Sequence, residues 1–133
     1  MAKRVLVIIP AYNEEATIAS VVTSLHDLVP DFDIVVIDDG STDETAKVVR
    51  GLQGVELVRL PYNLGIGSAV QTGFKFALRH GYDVAIQCDA DGQHPVAQMK
   101  SLVDRLERGD ADMVIGSRYV SDSSYVPSWS RRL

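Results

Sequence analysis

Short runs of apolar, mostly β-branched residues alternate in this chain with longer segments whose apolar residues recur at helical spacing. Val5–Ile9 and Ile34–Ile37 are the clearest runs, since every position in them is apolar. A strand of this kind is buried on both faces, which is typical of a parallel sheet covered by helices on both sides. The alternation therefore predicts a three-layer α/β/α fold with a mostly parallel sheet.

The boundaries of the elements follow from the same pattern. Strands are predicted at residues 5–9, 34–37, 55–60, 83–88 and 112–116, the third of them edge-like. Helices are predicted at residues 14–28, from Ser41 or Thr42 to about 52, from about 68 to 80, and 95–108. Pro10 is expected to end the first strand and Gly81 the third helix. Asp43 and Glu44 are expected in the first turn of the second helix, where the helix dipole favours them.

The predicted topology indicates where a ligand would bind. Right-handed crossovers give the strand order 3-2-1-4 plus a fifth strand, with a switch point between strands 1 and 4. In open α/β sheets, ligands bind at the carboxyl ends of the strands beside such a point. Three polar motifs should meet there, namely Pro10–Glu14, Asp38–Thr42 and Asp89–Gln93.

Asp89 and Asp91 are separated by one small residue and follow an apolar strand. Two carboxylates this close raise each other's pKa unless a cation or hydrogen-bond donors lie between them. Mg²⁺ and Mn²⁺ prefer oxygen ligands and commonly share them with a substrate's phosphates. The pair therefore predicts a cation site next to a phosphorylated ligand.

Other polar residues at this edge have two readings each. Asp38 and Asp39 either terminate the second strand or present a carboxylate to a base or ribose. Tyr12 suits packing or stacking on a base, and Arg118 is a solvated charge or a phosphate ligand. The glycines of Asn63–Gly67 lack the third glycine of a dinucleotide fingerprint, so they are expected to allow a tight loop and close helix packing.

Composition excludes several classes of protein. The 133 residues carry a net charge of −5 with no basic stripe, which argues against a nucleic-acid partner. The single cysteine, Cys88, excludes an internal disulfide and is expected to be a small buried apolar residue. Neither a signal peptide nor a run of about 20 apolar residues is present. A cytoplasmic location is therefore expected.

Five motifs occur in order along the chain: Pro10–Glu15, Asp38–Asp43, Asn63–Gly67, Asp89–Gln93 and Gly116–Arg118. Together they resemble the family 2 glycosyltransferases, most closely the dolichyl- and polyprenyl-phosphate mannosyltransferases and their glucosyl relatives. The resemblance covers essentially the whole chain. It implies a Rossmann-like GT-A fold, an NDP-sugar donor, Mg²⁺ or Mn²⁺ as cofactor, and inversion at the anomeric carbon.

The resemblance also implies residue roles. The NDP-sugar site would comprise Pro10, Tyr12, Glu14, Ile37, Asp39, Asp89, Ala90, Asp91, Gln93 and Arg118. Asp89 and Asp91 form the family's DxD motif and would bind the metal together with Gln93. Asp91 and Arg118 would be the catalytic residues, because they face the departing diphosphate.

The resemblance divides the chain into two parts. Residues 1–120 would form the donor-binding subdomain, and residues 121–133 would begin an acceptor-side segment that is cut short. The acceptor-side segment is expected to be cut short because catalytic domains of the family are longer than this chain. The later acidic residue that many inverting members use as a base has no counterpart here.

The implied reaction moves mannose or glucose from GDP-mannose or UDP-glucose to polyprenyl or dolichyl phosphate at a membrane surface. A phosphate acceptor is already ionised near neutral pH, since its second pKa lies near 6, so a protein base is dispensable. A sugar hydroxyl acceptor would need one. Transfer to a sugar hydroxyl and NDP-sugar binding without turnover both stay open. An uncovered sheet edge would favour a homo-oligomer.

Overall fold

The structure, a computed structural model, describes residues 4–91 together with the backbone pairing of two short strands at residues 113–114 and 130–132. Its elements are β1 Val5–Ala11, α1 Ile18–Leu28, β2 Asp33–Asp38, α2 Thr45–Arg50, β3 Val55–Arg59, α3 Ile66–Arg79, β4 Val84–Gln87, β5 Met113–Val114 and β6 Ser130–Arg132. The predicted helix at residues 95–108 lies outside the described residues. In the described part of the chain, no helix is long and apolar enough to cross a membrane.

The strands form one sheet in the order β3-β2-β1-β4-β6-β5. Strands β1 to β4 are parallel and confirm the predicted order 3-2-1-4. Strand β6 was not predicted, and it pairs antiparallel with both β4 and β5. Of the predicted fifth strand, only Met113–Val114 is described, and it pairs with β6 rather than with β4. A segment as short as β6 has no periodicity from which to predict it.

Strand β1 is the centre of the core because all seven of its residues are buried. Val7 and Ile9 pack on one side of the sheet with the apolar faces of α1 and α2. Leu6 and Ile8 pack on the other side with α3. A Cβ added at Gly73 of α3 would collide with the side chain of Ile8, so this helix lies unusually close to the sheet. The predicted three-layer arrangement is confirmed.

Pro10 does not end β1, as the sequence had predicted, but lies inside it opposite Ile37. The carbonyl of Ile8 accepts the amide of Cys88 on the β4 side, whereas the carbonyl of Ala11 accepts the amide of Asp39 on the β2 side. Because strand residues alternate in direction, the Pro10 nitrogen faces the β4 side. The ladder to β4 ends at Ile8, so the missing N–H of Pro10 breaks no pairing.

The first helix begins later than predicted. Residues Glu14 to Ile18 form a turn, in which the Glu14 carbonyl accepts the amides of Thr17 and Ile18 at 3.1 and 3.0 Å. Helix α1 therefore starts at Ile18. Its end at Leu28 agrees with the prediction.

The predicted start of α2 is wrong. Ser41 and Thr42 do not cap this helix, which begins at Thr45 after the N-cap residue Glu44. Asp43 and Glu44 consequently precede the first turn instead of lying in it. The physical reason is that the hydroxyl of Ser41 accepts the amide of Asn13 in the loop after β1.

Helix α3 begins at Ile66, two residues earlier than predicted, and ends at Arg79, close to the predicted end. It starts after Gly65, whose φ of 101° favours glycine, and its C-cap is His80. Gly81 follows with a φ of 75°, which is the position that glycine commonly occupies after a helix.

Candidate functional site

A cavity of about 270 Å³ lies at the carboxyl ends of β1 and β2, beside the first turn of α3. It is lined by Pro10, Ala11, Tyr12, Glu14, Asp39, Asn63, Gly65, Ile66 and Ala69. Four of these residues, Pro10, Tyr12, Glu14 and Asp39, are predicted site residues. Tyr12 is 44% exposed, so part of its surface is accessible to a ligand.

Asp39 holds one wall of the cavity in place. Its carboxylate accepts the amides of Leu64 and Gly65 at 2.8 and 2.9 Å, although Asp39 itself is only 4% exposed. These charge-assisted bonds fix the loop before α3 against the end of β2. A carboxylate has about four acceptor positions, so Asp39 retains capacity for a ligand hydroxyl or ring N–H.

Asp38 has a structural role, which was one of the two readings of the acidic pair. It is fully buried and accepts Arg59 Nε at 3.0 Å and the amide of Ser41 at 3.0 Å. The first bond joins the ends of β2 and β3, and the second closes the turn that follows β2. Asp38 thus braces the strand ends on which Asp39 is carried.

The loops after β1 and β2 are joined by side chains that bond to backbone groups of the opposite loop. Asn13 adopts a φ of 53°, a left-handed conformation that asparagine tolerates. Its Oδ1 accepts the amides of Thr42 and Asp43 at 2.9 and 3.3 Å. In return, the Ser41 hydroxyl accepts the Asn13 amide at 2.9 Å, and the Thr45 hydroxyl accepts the Glu14 amide at 2.9 Å. These hydrogen bonds between the two loops fix the backbone that carries Tyr12 and Glu14.

Asp43 completes the junction between these loops. Partial desolvation acts to raise its pKa, but bonds from the hydroxyl and amide of Thr45 and from the amide of Glu15 outweigh that effect and lower the pKa. The Glu15 amide donates at 3.2 Å, and a Glu15 oxygen accepts the Glu44 amide at 3.2 Å. The loops are thus bonded in both directions.

Asp89, Ala90 and Asp91 follow β4 at the same edge of the sheet. Asp89 and Ala90 are buried, with 7% and 4% exposure, and Asp91 is half-buried. The carbonyl of Ala90 accepts a bond from the Thr17 hydroxyl at 2.6 Å. The turn that carries both carboxylates is therefore attached to the loop after β1.

Cys88 confirms the expectation of a buried, apolar role. Burial raises the pKa of its thiol to about 12, and the negative charges of Asp89 and Asp91 add to the effect. A thiol in this state is not a nucleophile near neutral pH.

The described carboxylates suit a divalent cation that is shared with a phosphorylated ligand. Among residues 4–91, no group of three or more His, Cys, Asp or Glu side chains could hold a metal ion. Mg²⁺ and similar ions are commonly bound through one or two carboxylates plus substrate phosphates. Asp89 and Asp91 supply that donor set, and Gln93, the third predicted ligand, lies outside the described residues.

Other predicted site residues fall in different places. Ile37 is fully buried in the apolar cluster facing α3 and is not among the residues that line the cavity. Arg118 lies outside the described residues. The sequence had named the Asn63–Gly67 motif but assigned it only a loop role, whereas Asn63 and Gly65 line the cavity. Ile66 and Ala69 line it as well, and an apolar residue at a helix start carries no signal for that position.

The family model of glycosyl transferase family 2 matches residues 6–133. This chain belongs to glycosyl transferase family 2. Polyprenol monophosphomannose synthase from Mycolicibacterium smegmatis is 38% identical over 135 residues, covering 98% of this chain and 50% of that protein. The chain thus spans about half the length of this curated relative.

Solved structures of other sugar transferases resemble this chain in architecture. A mannosyltransferase from Pyrobaculum calidifontis in complex with GDP-Man and Mn²⁺ gives a TM-score of 0.79 at 22% identity, over 99% of this chain and 45% of that one. Glucosyl-3-phosphoglycerate synthase from Mycobacterium tuberculosis, in complex with Mn²⁺, UDP-Glc and phosphoglyceric acid, gives 0.69 at 27% identity, over 86% and 43%. The family 2 chain described here therefore has the GT-A fold.

Proposed function

We propose that this chain binds GDP-mannose or UDP-glucose together with a divalent cation and transfers the hexose to a polyprenyl or dolichyl phosphate with inversion. The observation that carries the proposal is the position of the cavity, which lies at the same sheet edge as the Asp89–Ala90–Asp91 turn. The polyprenol monophosphomannose synthase relative supports the acceptor class.

The cavity would receive the nucleoside part of the donor. Its volume of about 270 Å³ is just below the roughly 300–1,000 Å³ of most small-molecule sites. In our proposal, Tyr12 stacks on the base and Asp39 accepts from the base or ribose. The diphosphate would then extend towards the turn after β4.

In the same proposal, Asp89 and Asp91 bind the cation, with Gln93 as a further oxygen ligand. The bound ion would supply Lewis-acid stabilisation of the departing diphosphate and hold the donor in place. The Mycobacterium tuberculosis synthase, which was solved with Mn²⁺ and UDP-Glc, supports this part of the proposal. Either Mg²⁺ or Mn²⁺ would satisfy the two carboxylates.

Transfer would be a direct displacement. An oxygen of the acceptor phosphate attacks the anomeric carbon as the bond from that carbon to the donor's diphosphate breaks, and the bonding electron pair leaves with the diphosphate. Attack from the opposite face inverts the configuration. Arg118 would donate hydrogen bonds to the leaving group. The acceptor phosphate is already ionised, so the step needs no protein base.

Residues 1–120 would act as the donor-binding subdomain, and residues 121–133 would begin the acceptor side. A lipid-linked acceptor would bring the chain to the cytoplasmic surface of a membrane as a peripheral protein. Self-association through an uncovered sheet edge is a further part of this proposal.

A transfer assay tests the proposed function. The chain is incubated with Mn²⁺, radiolabelled GDP-mannose or UDP-glucose, and polyprenyl phosphate in detergent, and the organic phase is counted. Label should enter the lipid fraction with Mn²⁺ and not with EDTA. Label that stays in the aqueous phase, despite donor binding measured by calorimetry, would contradict transfer by this chain.

Donor binding without turnover is the second candidate. Its supporting observation is that the end of β1, the loops after β1 and β2 and the start of α3 already form the cavity, while the chain spans about half the length of its curated relative. The same assay separates the two candidates, because a binding module would retain calorimetric affinity for the donor while producing no labelled lipid.

A further inference from the structure

The hydroxyl of Thr17 makes an unusual contact for its position. Thr17 is the N-cap residue of α1, where a threonine hydroxyl typically accepts an amide of the first helical turn. Here the hydroxyl lies 2.6 Å from the carbonyl oxygen of Ala90, a residue 73 positions away. Local helix capping therefore does not explain the orientation of this side chain.

The direction of the bond follows from the chemistry of the groups around it. A hydroxyl has one proton to donate, and the acceptors within reach are the Ala90 carbonyl at 2.6 Å, a Glu14 carboxylate oxygen at 3.1 Å and the Glu14 carbonyl at 3.5 Å. The Ala90 carbonyl is the nearer acceptor and therefore takes the proton. Glu14 belongs to the cavity wall, so the hydroxyl lies between that wall and the turn after β4.

The contact falls at the middle of the Asp89–Ala90–Asp91 turn. Fixing the carbonyl of Ala90 restrains the peptide unit between the two carboxylates. Like charges in such a pair repel each other, so an unrestrained turn would relax by separating them. Two carboxylates that are already held at the separation needed for a cation lose little conformational freedom when the ion binds.

We propose that Thr17 is a positioning residue for cation binding, because its hydroxyl holds the backbone between Asp89 and Asp91 in the geometry that the ion requires. The inference rests on the proposed function, in which these carboxylates bind the ion with a nucleoside diphosphate. It adds a residue of the loop after β1, outside the acidic motif itself.

The test is the metal dependence of nucleotide affinity. Dissociation constants of GDP and of UDP are measured by calorimetry with Mn²⁺ and with EDTA. For each nucleotide, the dissociation constant in EDTA is divided by the one in Mn²⁺, and this ratio is compared among variants. Thr17→Val keeps the shape of the side chain and removes the donor. It should reduce the ratio by about tenfold, in line with residues that orient metal ligands, and leave the affinity in EDTA within about twofold.

Two controls separate positioning from general stability. Thr17→Ser retains the hydroxyl and should keep the wild-type ratio. Thr72→Val removes a hydroxyl that bonds to the Ser68 carbonyl at 2.8 Å within α3, and it should also keep the ratio. If the far-ultraviolet circular dichroism of Thr17→Val differs from that of the wild type, Thr17→Ala takes its place.

An unchanged ratio in Thr17→Val would overturn the inference, whether both affinities stay as in the wild type or both fall by the same factor, the second case indicating a structural role alone. In both of these cases, a metal-dependent wild type would still support the proposed function. A wild-type chain whose nucleotide affinity ignores Mn²⁺ would contradict the proposed function and the inference together.

Discussion

Asp39 accepts a hydrogen bond from the backbone amide of Gly65 at 2.9 Å, although the two residues are 26 positions apart in the sequence. The second oxygen of the same carboxylate accepts the Leu64 amide at 2.8 Å. One side chain at the end of β2 thereby sets the position of the loop that leads into α3. The wall of the cavity depends on this contact, because both Asp39 and Gly65 line it.

Replacing Asp39 should therefore destabilise the chain as well as weaken nucleotide binding. Asp39→Ala removes both acceptors, and we expect the free energy of unfolding to fall by about 1.5–3 kcal/mol, the typical value for hydrogen bonds to charged groups. Asp39→Asn keeps one acceptor and should lose less. Urea denaturation measures the effect, with Asp27→Ala on the exposed surface of α1 as control. Equal midpoints for Asp39→Ala and the control would contradict the bracing role.

Gly40 should tolerate no side chain. Its φ is 71°, and a Cβ there would collide with the backbone of Tyr62 and Asn63. Strain and overpacking together should cost roughly 2–4 kcal/mol in Gly40→Ala. Gly67→Ala is the matched control, because a Cβ at that position meets nothing within 4 Å. Alanine in the first turn of α3 should be neutral or stabilising by up to about 1 kcal/mol. Denaturation midpoints that shift alike in the two variants would refute this account of the loop.

The raised pKa of Tyr82 predicts that the chain loses stability in alkaline solution. Burial raises its pKa from 10.0 to about 12, and the hydrogen bond to Asp33 and the charge of Asp33 act in the same direction. A group whose folded pKa is raised contributes its stability below the unfolded pKa and loses it as the pH rises through the folded one. The contribution of Tyr82 should therefore be complete below pH 10 and disappear as the pH approaches 12.

The measurement compares the free energy of unfolding of the wild type with that of Tyr82→Phe at several alkaline pH values. The difference between them should shrink over this range, because phenylalanine has no proton to lose. Tyr62→Phe, at a 65% exposed position, corrects for the loss of a tyrosine hydroxyl as such. A difference that stays constant with pH would contradict a raised pKa of Tyr82 in the folded chain.

The predictions from sequence succeeded where local patterns match the final structure. Continuous apolar runs identified β1, β2 and β4, and the handedness of the crossovers then gave the order 3-2-1-4. The position of the acidic motifs at the carboxyl edge followed from that order. The sheet edge that carries the candidate site was thus predictable before its contacts were known.

The errors arose where a side chain bonds to a distant part of the chain. Ser41 has the residue type of a helix cap, yet its hydroxyl accepts the amide of Asn13. The first helix starts later than predicted, and the hydroxyl of Thr17, its N-cap residue, donates to the distant Ala90 carbonyl. Pro10 stays within β1 because the neighbouring strand ends first. Each outcome depends on a tertiary neighbour that local propensity does not contain.

In the proposed function, Asp89 and Asp91 bind a divalent cation together with the diphosphate of an NDP-sugar. Calorimetric titration of the chain with GDP-mannose and UDP-glucose, in Mn²⁺ and in EDTA, measures this binding when wild type and Asp91→Ala are compared. We expect the wild type to bind one donor in Mn²⁺ at least about tenfold more tightly than in EDTA, a difference of about 1.4 kcal/mol. Asp91→Ala should keep its fold and lose that difference. Donor binding by Asp91→Ala with unchanged dependence on Mn²⁺ would contradict the claim.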